Sequence, residues 1–378
     1  MNRLLEANFR VVVCNRGRKY WGTRDASNGR VCRIVADRRK TDVYADRLRE
    51  MTTLMGKDWN IVADFCGFYA KDVECSMKGL DGRFKLYTFI SSDSVYEVCS
   101  LPADIAVITE SLSVRPADPA EQKRLRKLDD YGDGKLACEE VLKRFADSRV
   151  AAGQPPPCIV ALRLPDVIGA YDDTHRLFAY YWWIILQLDE GFAPLAVSDA
   201  EKNIPIAVVF SDDVAATIAA FGSSDSIAKP GFHAIQIGCR EQVPLNMFLQ
   251  HFAWAITSRW PHASQPGQFQ CNIQQGRCSS FLPSVERKHP LSFIRAQQIG
   301  FTPTPLNQVL VHCAEFFNFA MNHHPTEAFE AIGKLPKPLR KRIMRRHWVL
   351  PAKGMKAPNA SDMSSSAPSS SGSDSDTD

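Results

Sequence analysis

The sequence predicts an α/β fold built on a doubly wound parallel sheet, with a smaller lobe in the C-terminal part of the chain. Short runs of β-branched and aromatic residues recur mostly every 20 to 30 residues, and helical periodicity fills several of the intervals. This alternation is typical of βαβ units, which place parallel strands side by side. The 378 residues, of which 45% are hydrophobic, are enough to bury a sizeable core.

The strands predicted in the first half of the chain are apolar and rich in β-branched residues, as expected for strands buried on both faces. Helices are predicted at 42–55, 70–80 and 121–128, and the proline-containing segment 100–118 is predicted to be a loop. The predicted strands are 10–14, 31–35, 59–65, 86–90 and 158–163.

After Arg163 the pattern is looser, and we expect a strand at 233–238 that returns to the sheet. Helices are predicted at 243–258 and, after a proline-containing first turn, at 306–322. The expected regions are 1–163 for the sheet domain, 164–330 for the smaller lobe, 331–360 for a basic segment and 361–378 for a Ser- and Asp-rich tail. The composition of the tail predicts disorder.

Composition excludes several classes of protein. The net charge of +4 is too small to argue for or against nucleic acid, and the 11 cysteines include no Cys-x-x-Cys pair that would indicate a zinc ribbon or a dithiol. No secretory signal opens the sequence, and no apolar run reaches the roughly 20 residues of a membrane span. We therefore expect a protein of the cytosol or nucleus with reduced thiols.

The segment Tyr131-Gly-Asp-Gly-Lys135 carries the clearest chemical signal. A Tyr and a Lys four residues apart lie on one face of a helix, and a nearby ammonium lowers the pKa of a phenol toward neutrality. Ser92 ends a predicted strand, where open α/β sheets bind their ligands. Together these residues predict a site for redox chemistry at a carbon–oxygen bond.

A second motif overlaps the first. Residues 129–140 have Asp, Asp, Gly and Glu at the first, fifth, sixth and twelfth positions of a calcium-binding loop. The third position, where such a loop places an oxygen ligand, is Tyr131. Calcium binding is thus an alternative for this segment, although we predict no metal site.

Several segments resemble the extended short-chain dehydrogenase/reductase family, the NAD(P)-dependent epimerases and dehydratases. Within the family, the chain is most similar to the branch of the chloroplast stem-loop RNA-binding proteins. The resemblance covers about residues 8 to 319 and implies a Rossmann-like fold. The matching segments are 64–67, 89–96, 131–135, 162–169, 210–215, 237–238 and 300–303.

The resemblance implies a role for each residue of this site. Ser92 would orient the substrate oxygen, and Tyr131 would be the acid/base. Lys135 would lower the pKa of Tyr131 and hold the nicotinamide ribose. Asp93 stands where sugar dehydratases of this family place an acid, and the alternative for Asp93 is a capping or loop residue.

The chain departs from the family at the cofactor end. The family holds the pyrophosphate on a helix N-terminus through a Gly-rich turn after its first strand. Residues 1–8 resemble the last turns of that helix, and 11–14 resemble the second strand, so the first strand and its turn have no counterpart. Two explanations stay open: the sequence starts downstream of them, or the protein has lost them and is a pseudoenzyme. An upstream in-frame extension that encodes the turn would favour an enzyme.

Other cofactor contacts are implied at the ends of later strands. Asn15, Arg16 and Arg18 follow the second strand, where basic residues suit the 2′-phosphate of NADP, the alternative being an ordinary basic loop. Asp37 is expected to contact the adenine. Cys66 and Gly67 are small enough to let the cofactor approach. The cofactor is predicted to be NADP or NAD.

In the smaller lobe, Tyr171, Asp172 and Arg176 match a loop that lines the family's substrate pocket. Arg176 would bind a phosphate or carboxylate, and the alternative is a surface salt bridge. The aromatic run 180–183 is predicted to be packed core.

The predicted function is an NAD(P)-dependent epimerase, dehydratase or reductase that acts on a sugar-like or nucleotide-linked alcohol. The alternative is an inactive binding protein for RNA, which would use the basic segment from Lys334 to Lys356. That segment has nine Lys or Arg residues and no acid. A solvated C-terminal helix is the other explanation for it.

Overall fold

The structure, a computed structural model, describes residues 1–17, 30–190, 195–198, 203–223, 229–259, 271–274, 281–285, 289–337, 339–341 and 343. The strands are β1 Val11–Asn15, β2 Val31–Val35, β3 Trp59–Asp64, β4 Phe84–Ser92, β5 Cys158–Leu164, β6 Asp166–Ile168, β7 Leu195–Ser198, β8 Pro205–Ile206, β9 Val208–Phe210, β10 Gly231–Gln236, β11 Val243–Pro244 and β12 Cys271–Gln274. The helices are α1 Asn2–Glu6, α2 Thr41–Met55, α3 Ala70–Leu80, α4 Pro119–Leu128, α5 Asp130–Ala151, α6 Arg176–Glu190, α7 Ser211–Ser223, α8 Leu245–Arg259, α9 Ile294–Gln298, α10 Leu306–His323 and α11 Pro325–Gly333. Short 3₁₀ helices cover Asp93–Val98 and Glu110–Leu112.

The main sheet is parallel and has four strands in the order β10-β5-β4-β3, and β1 pairs in parallel with β2 in a separate two-stranded sheet. The predicted α/β class is confirmed. Within the described residues, β1 and β3 each have a strand neighbour on one side only. The strand predicted at 233–238 is β10, which lies beside β5.

Helices cover both faces of the sheet, which is the doubly wound arrangement. On one face, α3 packs against both α2 and α5. On the other face α7 packs against α1, β3 and β4. Gly222 of α7 marks a close approach there, because a Cβ at this position would lie 3.1 Å from Phe9 and 3.3 Å from Ile61. The β1–β2 ribbon and the main sheet thus share one helical layer.

A separate hydrophobic core holds the C-terminal lobe together. It is formed mainly by the apolar faces of α6, α8, α10 and α11. The aromatic run 180–183 lies in α6 and is buried within this core, so the prediction that it is packed core is confirmed. Phe178 of the same helix stacks on Phe317 of α10 with ring centroids 4.6 Å apart.

Helix α5 docks on the carboxyl half of β4 through a buried ion pair. Glu139 of α5 accepts hydrogen bonds from Ser91 Oγ at 2.6 Å and from Arg163 Nε and Nη2 at 3.0 and 2.6 Å. Arg163 comes from β5, and its guanidinium also donates to Tyr96 Oη and to the carbonyl of Glu110. The fifth N–H of this guanidinium donates to Ser113 Oγ at 2.7 Å, so all five donors have hydrogen-bond acceptors. These bonds hold α5, β4 and β5 in one register.

The topology predicts that the β1–β2 ribbon opens more readily than the main sheet. A two-stranded sheet is only marginally stable, and local opening costs less where few strands share the hydrogen bonds. We expect the amides of β1 to exchange at least about ten-fold faster than those of β4 in native-state hydrogen exchange. Equal protection of the two strands would contradict the two-sheet arrangement.

The ion pair between Glu139 and Arg163 generates a second prediction. Glu139→Gln removes the partner of a buried guanidinium, and such a loss costs about 3–5 kcal/mol in the free energy of unfolding. Denaturant unfolding monitored by circular dichroism measures the loss. The matched control is Glu121→Gln, which breaks an exposed pair with Arg124 and should leave the midpoint nearly unchanged. Similar midpoints for both variants would show that the buried pair does not hold the helix.

Candidate functional site

Tyr131 and Lys135 lie in the first two turns of α5. Asp129 caps this helix, since its carboxylate accepts a hydrogen bond from the Gly132 amide at 2.8 Å. The predicted helical spacing of Tyr131 and Lys135 is therefore present. The calcium-loop alternative for 129–140 is wrong, because residues 130–140 are continuous α-helix and cannot wrap around an ion.

Two glycines let the start of α5 approach its neighbours. A Cβ at Gly132 would collide with the carbonyl of Ser94, and a Cβ at Gly134 would collide with the carbonyl of Phe68. The first contact lies just after β4, and the second lies in the loop after β3. Both glycines, including Gly134 that suggested a calcium loop, are thus needed for helix packing, and they bring Tyr131 and Lys135 to the carboxyl edge of the sheet.

Ser92 meets the phenol of Tyr131 at this edge. Ser92 lies beside Tyr131 and acts to lower the pKa of its phenol, and the Ser92 hydroxyl accepts the Ser94 amide at 3.1 Å as the N-cap of the following 3₁₀ helix. Asp93 is buried beside this pair, and one of its carboxylate oxygens lies 3.4 Å from Ser92 Oγ. The structure therefore brings together the predicted residues Ser92, Asp93 and Tyr131.

The pKa of Tyr131 differs in direction from the prediction. Burial raises it above the usual value of tyrosine, with smaller upward contributions from the charges of Asp93 and Asp129. Ser92 and the charge of Arg176 act in the opposite direction without reversing the shift. The pKa is thus raised rather than lowered as the resemblance implied, because partial burial of a tyrosine that is still 46% exposed disfavours its charged form.

Lys135 is buried at 2% exposure beneath the same ring. Its ammonium donates to the carbonyls of Gly67 at 2.7 Å and Ile90 at 2.8 Å and lies 5.7 Å from the centroid of the Tyr131 ring. Burial lowers the pKa of Lys135. Two of its three N–H donors therefore hold the lysine between β3 and β4, and the third is not used by these carbonyls.

Several predicted cofactor contacts converge at the ends of β1, β2 and β3. Asn15 Oδ1 accepts the Gly17 amide at 2.9 Å. Arg16 is exposed, and its charge acts to lower the pKa of both Asp37 and Cys66. Hydrogen bonds with Arg39 are the main cause that lowers the pKa of Asp37 to about 2. Arg18 lies outside the described residues.

Gly67 has a structural reason to be glycine. A Cβ at this position would lie 2.9 Å from the ring of Phe89 and 3.1 Å from Val73. Tight packing against the sheet therefore explains the absence of a side chain here. A cofactor contact by Gly67 or Cys66 stays a prediction.

One buried cluster at this edge was not predicted. Asp64, the last residue of β3, forms a bidentate ion pair with Arg38, with both N–O distances 2.7 Å. Tyr87 also donates to Asp64, and Ser76 Oγ accepts from Arg38 at 2.9 Å. The one sequence signal was a charged residue at the end of an apolar strand, since a buried aspartate requires a partner.

The predicted substrate residues lie on the loop that leads into α6. Tyr171 is 53% exposed and packs on Phe316 of α10 at 4.7 Å between ring centroids. Asp172 accepts hydrogen bonds from the amide and hydroxyl of Thr174, so it organises the loop itself.

Arg176 links this loop to the surroundings of Tyr131. Its Nη1 lies 2.9 Å from Oδ1 of the buried Asp166, and its charge reaches Tyr131. The salt bridge that was the alternative for Arg176 is present, but its acidic partner is buried and the arginine is 26% exposed. Arg176 is thus fixed at the rim of the Tyr131 site with part of the guanidinium open to solvent.

Other predictions concern parts of the chain away from this site. The basic segment from Lys334 to Lys356 lies mostly outside the described residues, as does the tail from 361 onward. No helix in the described ranges has the length and apolar character needed to cross a membrane. Those ranges also contain no group of three His, Cys, Asp or Glu residues arranged for a metal ion.

Comparisons of sequence give no relative. No protein-family model matches the chain, and no curated protein matches it. The RNA-binding branch and the RNA partner, which rested on the resemblance, gain no support from these comparisons.

Solved structures, in contrast, match most of the chain. The Bordetella bronchiseptica enzyme WbmH in complex with NAD⁺ has a TM-score of 0.56 at 15% identity, covering 84% of this chain and 93% of that one. UDP-glucose 4-epimerase from Thermotoga maritima with UDP-glucose has a TM-score of 0.56 at 15% identity, with 85% and 94% covered. dTDP-glucose 4,6-dehydratase from Bacillus anthracis in complex with NAD has a TM-score of 0.57 at 10% identity, with 85% and 92% covered. The chain therefore has the Rossmann-like fold of these three solved structures.

Proposed function

We propose that this protein is an NAD(P)-dependent epimerase, dehydratase or reductase that acts on a sugar-like or nucleotide-linked alcohol. The observation that carries the proposal is the meeting of Ser92, Tyr131 and Lys135 at the carboxyl edge of the sheet. A hydroxyl beside a phenol, with an ammonium 5.7 Å from the centre of the phenol ring, is an arrangement suited to proton exchange at a carbon–oxygen bond. The shared fold with the epimerases and dehydratases supports the same conclusion by analogy.

The residues fit the two ends of a dinucleotide. Lys135 has a donor left for a ribose hydroxyl, and Arg16 is an exposed cation at the end of β1 with no ion pair to a described carboxylate. The pyrophosphate would need a third component, a Gly-rich turn at a helix N-terminus, and no such turn follows a strand within the described ranges. Direct binding measurements therefore come before any assay of turnover.

In the proposed reaction the protein residues move one proton. A bound nicotinamide dinucleotide would accept or supply the hydride. During oxidation of an alcohol, the phenolate form of Tyr131, which the raised pKa makes the minor form at neutral pH, accepts the hydroxyl proton while Ser92 holds the same substrate oxygen. The O–H electron pair then forms the carbonyl as the C–H pair leaves as hydride. In reduction, the protonated Tyr131 returns the proton to the alkoxide oxygen.

Arg176 would form an ion pair with an anionic group of the substrate. It lies within electrostatic reach of Tyr131, and Asp166 holds the guanidinium in a fixed direction. A sugar linked to a nucleotide carries phosphates, which pair well with a planar guanidinium. Asp93 is buried beside Ser92 and Tyr131, a position suited to a second acid in a dehydratase-type step.

The role of Tyr131 can be tested by removing its hydroxyl group. Tyr131→Phe should lower kcat by about 10²–10⁴-fold, the usual contribution of a general acid/base, and leave dinucleotide affinity nearly unchanged. Lys135→Met should lower kcat and also weaken dinucleotide binding, because the lysine is also proposed to hold the ribose. Turnover of a panel of sugar nucleotides and calorimetric titration of the dinucleotide measure the two effects.

Tyr69→Phe is the matched control for this experiment. Tyr69 is an exposed tyrosine whose hydroxyl bonds Asp130 at 3.1 Å, outside the proposed site. Its loss should leave kcat within about two-fold of the wild type. Full activity in Tyr131→Phe would end the proposal of a tyrosine-dependent hydride transfer.

Arg16 allows a separate test of cofactor choice. The exposed guanidinium is proposed to pair with the 2′-phosphate of NADP, so the wild type should bind NADP more tightly than NAD. Arg16→Ala should weaken NADP binding by about ten-fold or more, the value of one charge-assisted hydrogen bond, and leave NAD binding unchanged. Arg47→Ala, which removes an exposed arginine of α2, should change neither affinity. Equal loss for both dinucleotides would contradict the 2′-phosphate role.

A further inference from the structure

The carboxylate of Asp64 is the most heavily hydrogen-bonded acid at the cofactor edge. It is buried at 5% exposure and accepts both Nη atoms of Arg38 at 2.7 Å. Oδ1 also accepts the amides of Cys66 and Gly67, each at 3.0 Å, and Oδ2 accepts Tyr87 Oη. One side chain therefore ties the end of β3 to the turn that follows it and to an arginine from the loop after β2.

Arg38 keeps this carboxylate charged in the interior. Burial alone raises the pKa of Asp64, but the charge and hydrogen bonds of Arg38 bring it below the usual value. The guanidinium is itself held by Tyr44 Oη at 3.1 Å and Ser76 Oγ at 2.9 Å. Asparagine cannot replace the aspartate, because its amide group would turn a donor toward the arginine and leave a buried cation unpaired.

The turn held by Asp64 is the same turn that holds Lys135. The Gly67 amide donates to Asp64, and the Gly67 carbonyl accepts the Lys135 ammonium at 2.7 Å. The turn cannot shift toward the sheet, since Phe89 fills the space beside Gly67. The path from Asp64 to Lys135 thus runs through one residue, Gly67, whose amide bonds Asp64 and whose carbonyl bonds Lys135.

We propose that Asp64, charged and paired with Arg38, is a positioning residue that fixes the Lys135 ammonium beneath Tyr131. The effect of Asp64 on catalysis rests on the proposed function. Its effect on the position of Lys135 does not. In this arrangement Asp64 contacts neither substrate nor hydride. It acts through the Cys66–Gly67 turn, and loss of the pair frees the turn and lets Lys135 leave its place between β3 and β4.

Chemical labelling of Lys135 tests the placement without cofactor or turnover. In Asp64→Asn and Asp64→Glu, reductive methylation followed by peptide mass spectrometry should show Lys135 reacting at least about ten-fold faster than in the wild type, because local opening exposes it. The glutamate variant keeps the charge but moves the carboxylate away from the turn amides. The midpoint of the labelling pH profile should also move up toward the ordinary lysine value, since burial lowers the pKa of Lys135 in the wild type.

Controls separate this local effect from unfolding. Asp58→Asn makes the same change at the opposite end of β3 and breaks an exposed pair with Arg83, so Lys135 should label as in the wild type. Lys78 is 62% exposed and serves as an internal reference in every sample. Cys313 is fully buried and should stay unreactive toward a thiol reagent wherever the fold is intact.

The outcome is decided in samples whose Cys313 stays protected. Labelling of Lys135 at least about ten-fold faster in a folded Asp64→Glu protein supports the proposal. Labelling within about two-fold of the wild type in a folded Asp64→Glu protein overturns it, because the turn then holds Lys135 without the aspartate. Absence of turnover in the wild type would count against the proposed function alone and leave this result standing.

Discussion

The register of α5 on the carboxyl end of β4 is the constraint on which the rest of the site depends. Tyr131, Lys135 and Glu139 are spaced by four residues and therefore share one face of the helix. Each has a partner among consecutive residues of β4: Glu139 bonds Ser91, Lys135 bonds the carbonyl of Ile90, and Tyr131 lies beside Ser92. A shift of one helical turn would break all three contacts together.

Two buried charged clusters hold this register from opposite sides. The Glu139–Arg163 pair fixes α5 to β5 behind the site, and the Asp64–Arg38 pair fixes the turn after β3 beside it. Buried ion pairs are costly to form but still more costly to break, so each cluster discourages intermediate positions of the elements that it joins. Tyr131 and Lys135 lie between the two clusters, and the Lys135 ammonium is held there by the carbonyls of Gly67 and Ile90.

The Asp64–Arg38 pair has a further consequence for the architecture. It links the loop after β2, in the two-stranded sheet, to the end of β3 in the main sheet, although β1 and β3 do not pair with each other within the described residues. The predicted cofactor residues Asn15, Arg16, Asp37 and Cys66 are distributed over both sheets. Their convergence therefore depends on side-chain bridges and on the shared layer of helices.

The sequence by itself determined the α/β class, most strands and helices of the first half, and the helical spacing of Tyr131 and Lys135. These are local properties, because apolar periodicity and i, i+4 spacing can be read from a short stretch of consecutive residues. It also indicated Ser92 at a strand end, since such ends face the ligand edge of a parallel sheet.

Only the tertiary structure decided which charged residues are paired. Arg38 and Asp64 are 26 residues apart, and Glu139 and Arg163 are 24 apart, so no local pattern relates them. The tertiary structure also decided the direction of the Tyr131 pKa, because partial burial outweighs the opposing contributions of Ser92 and Arg176. The tertiary structure also shows why residues 132 and 134 are glycines: a Cβ at Gly132 or Gly134 would collide with an opposing backbone carbonyl. A glycine that permits close packing and one that belongs to a metal loop look the same in sequence, and only the position of the opposing backbone tells them apart.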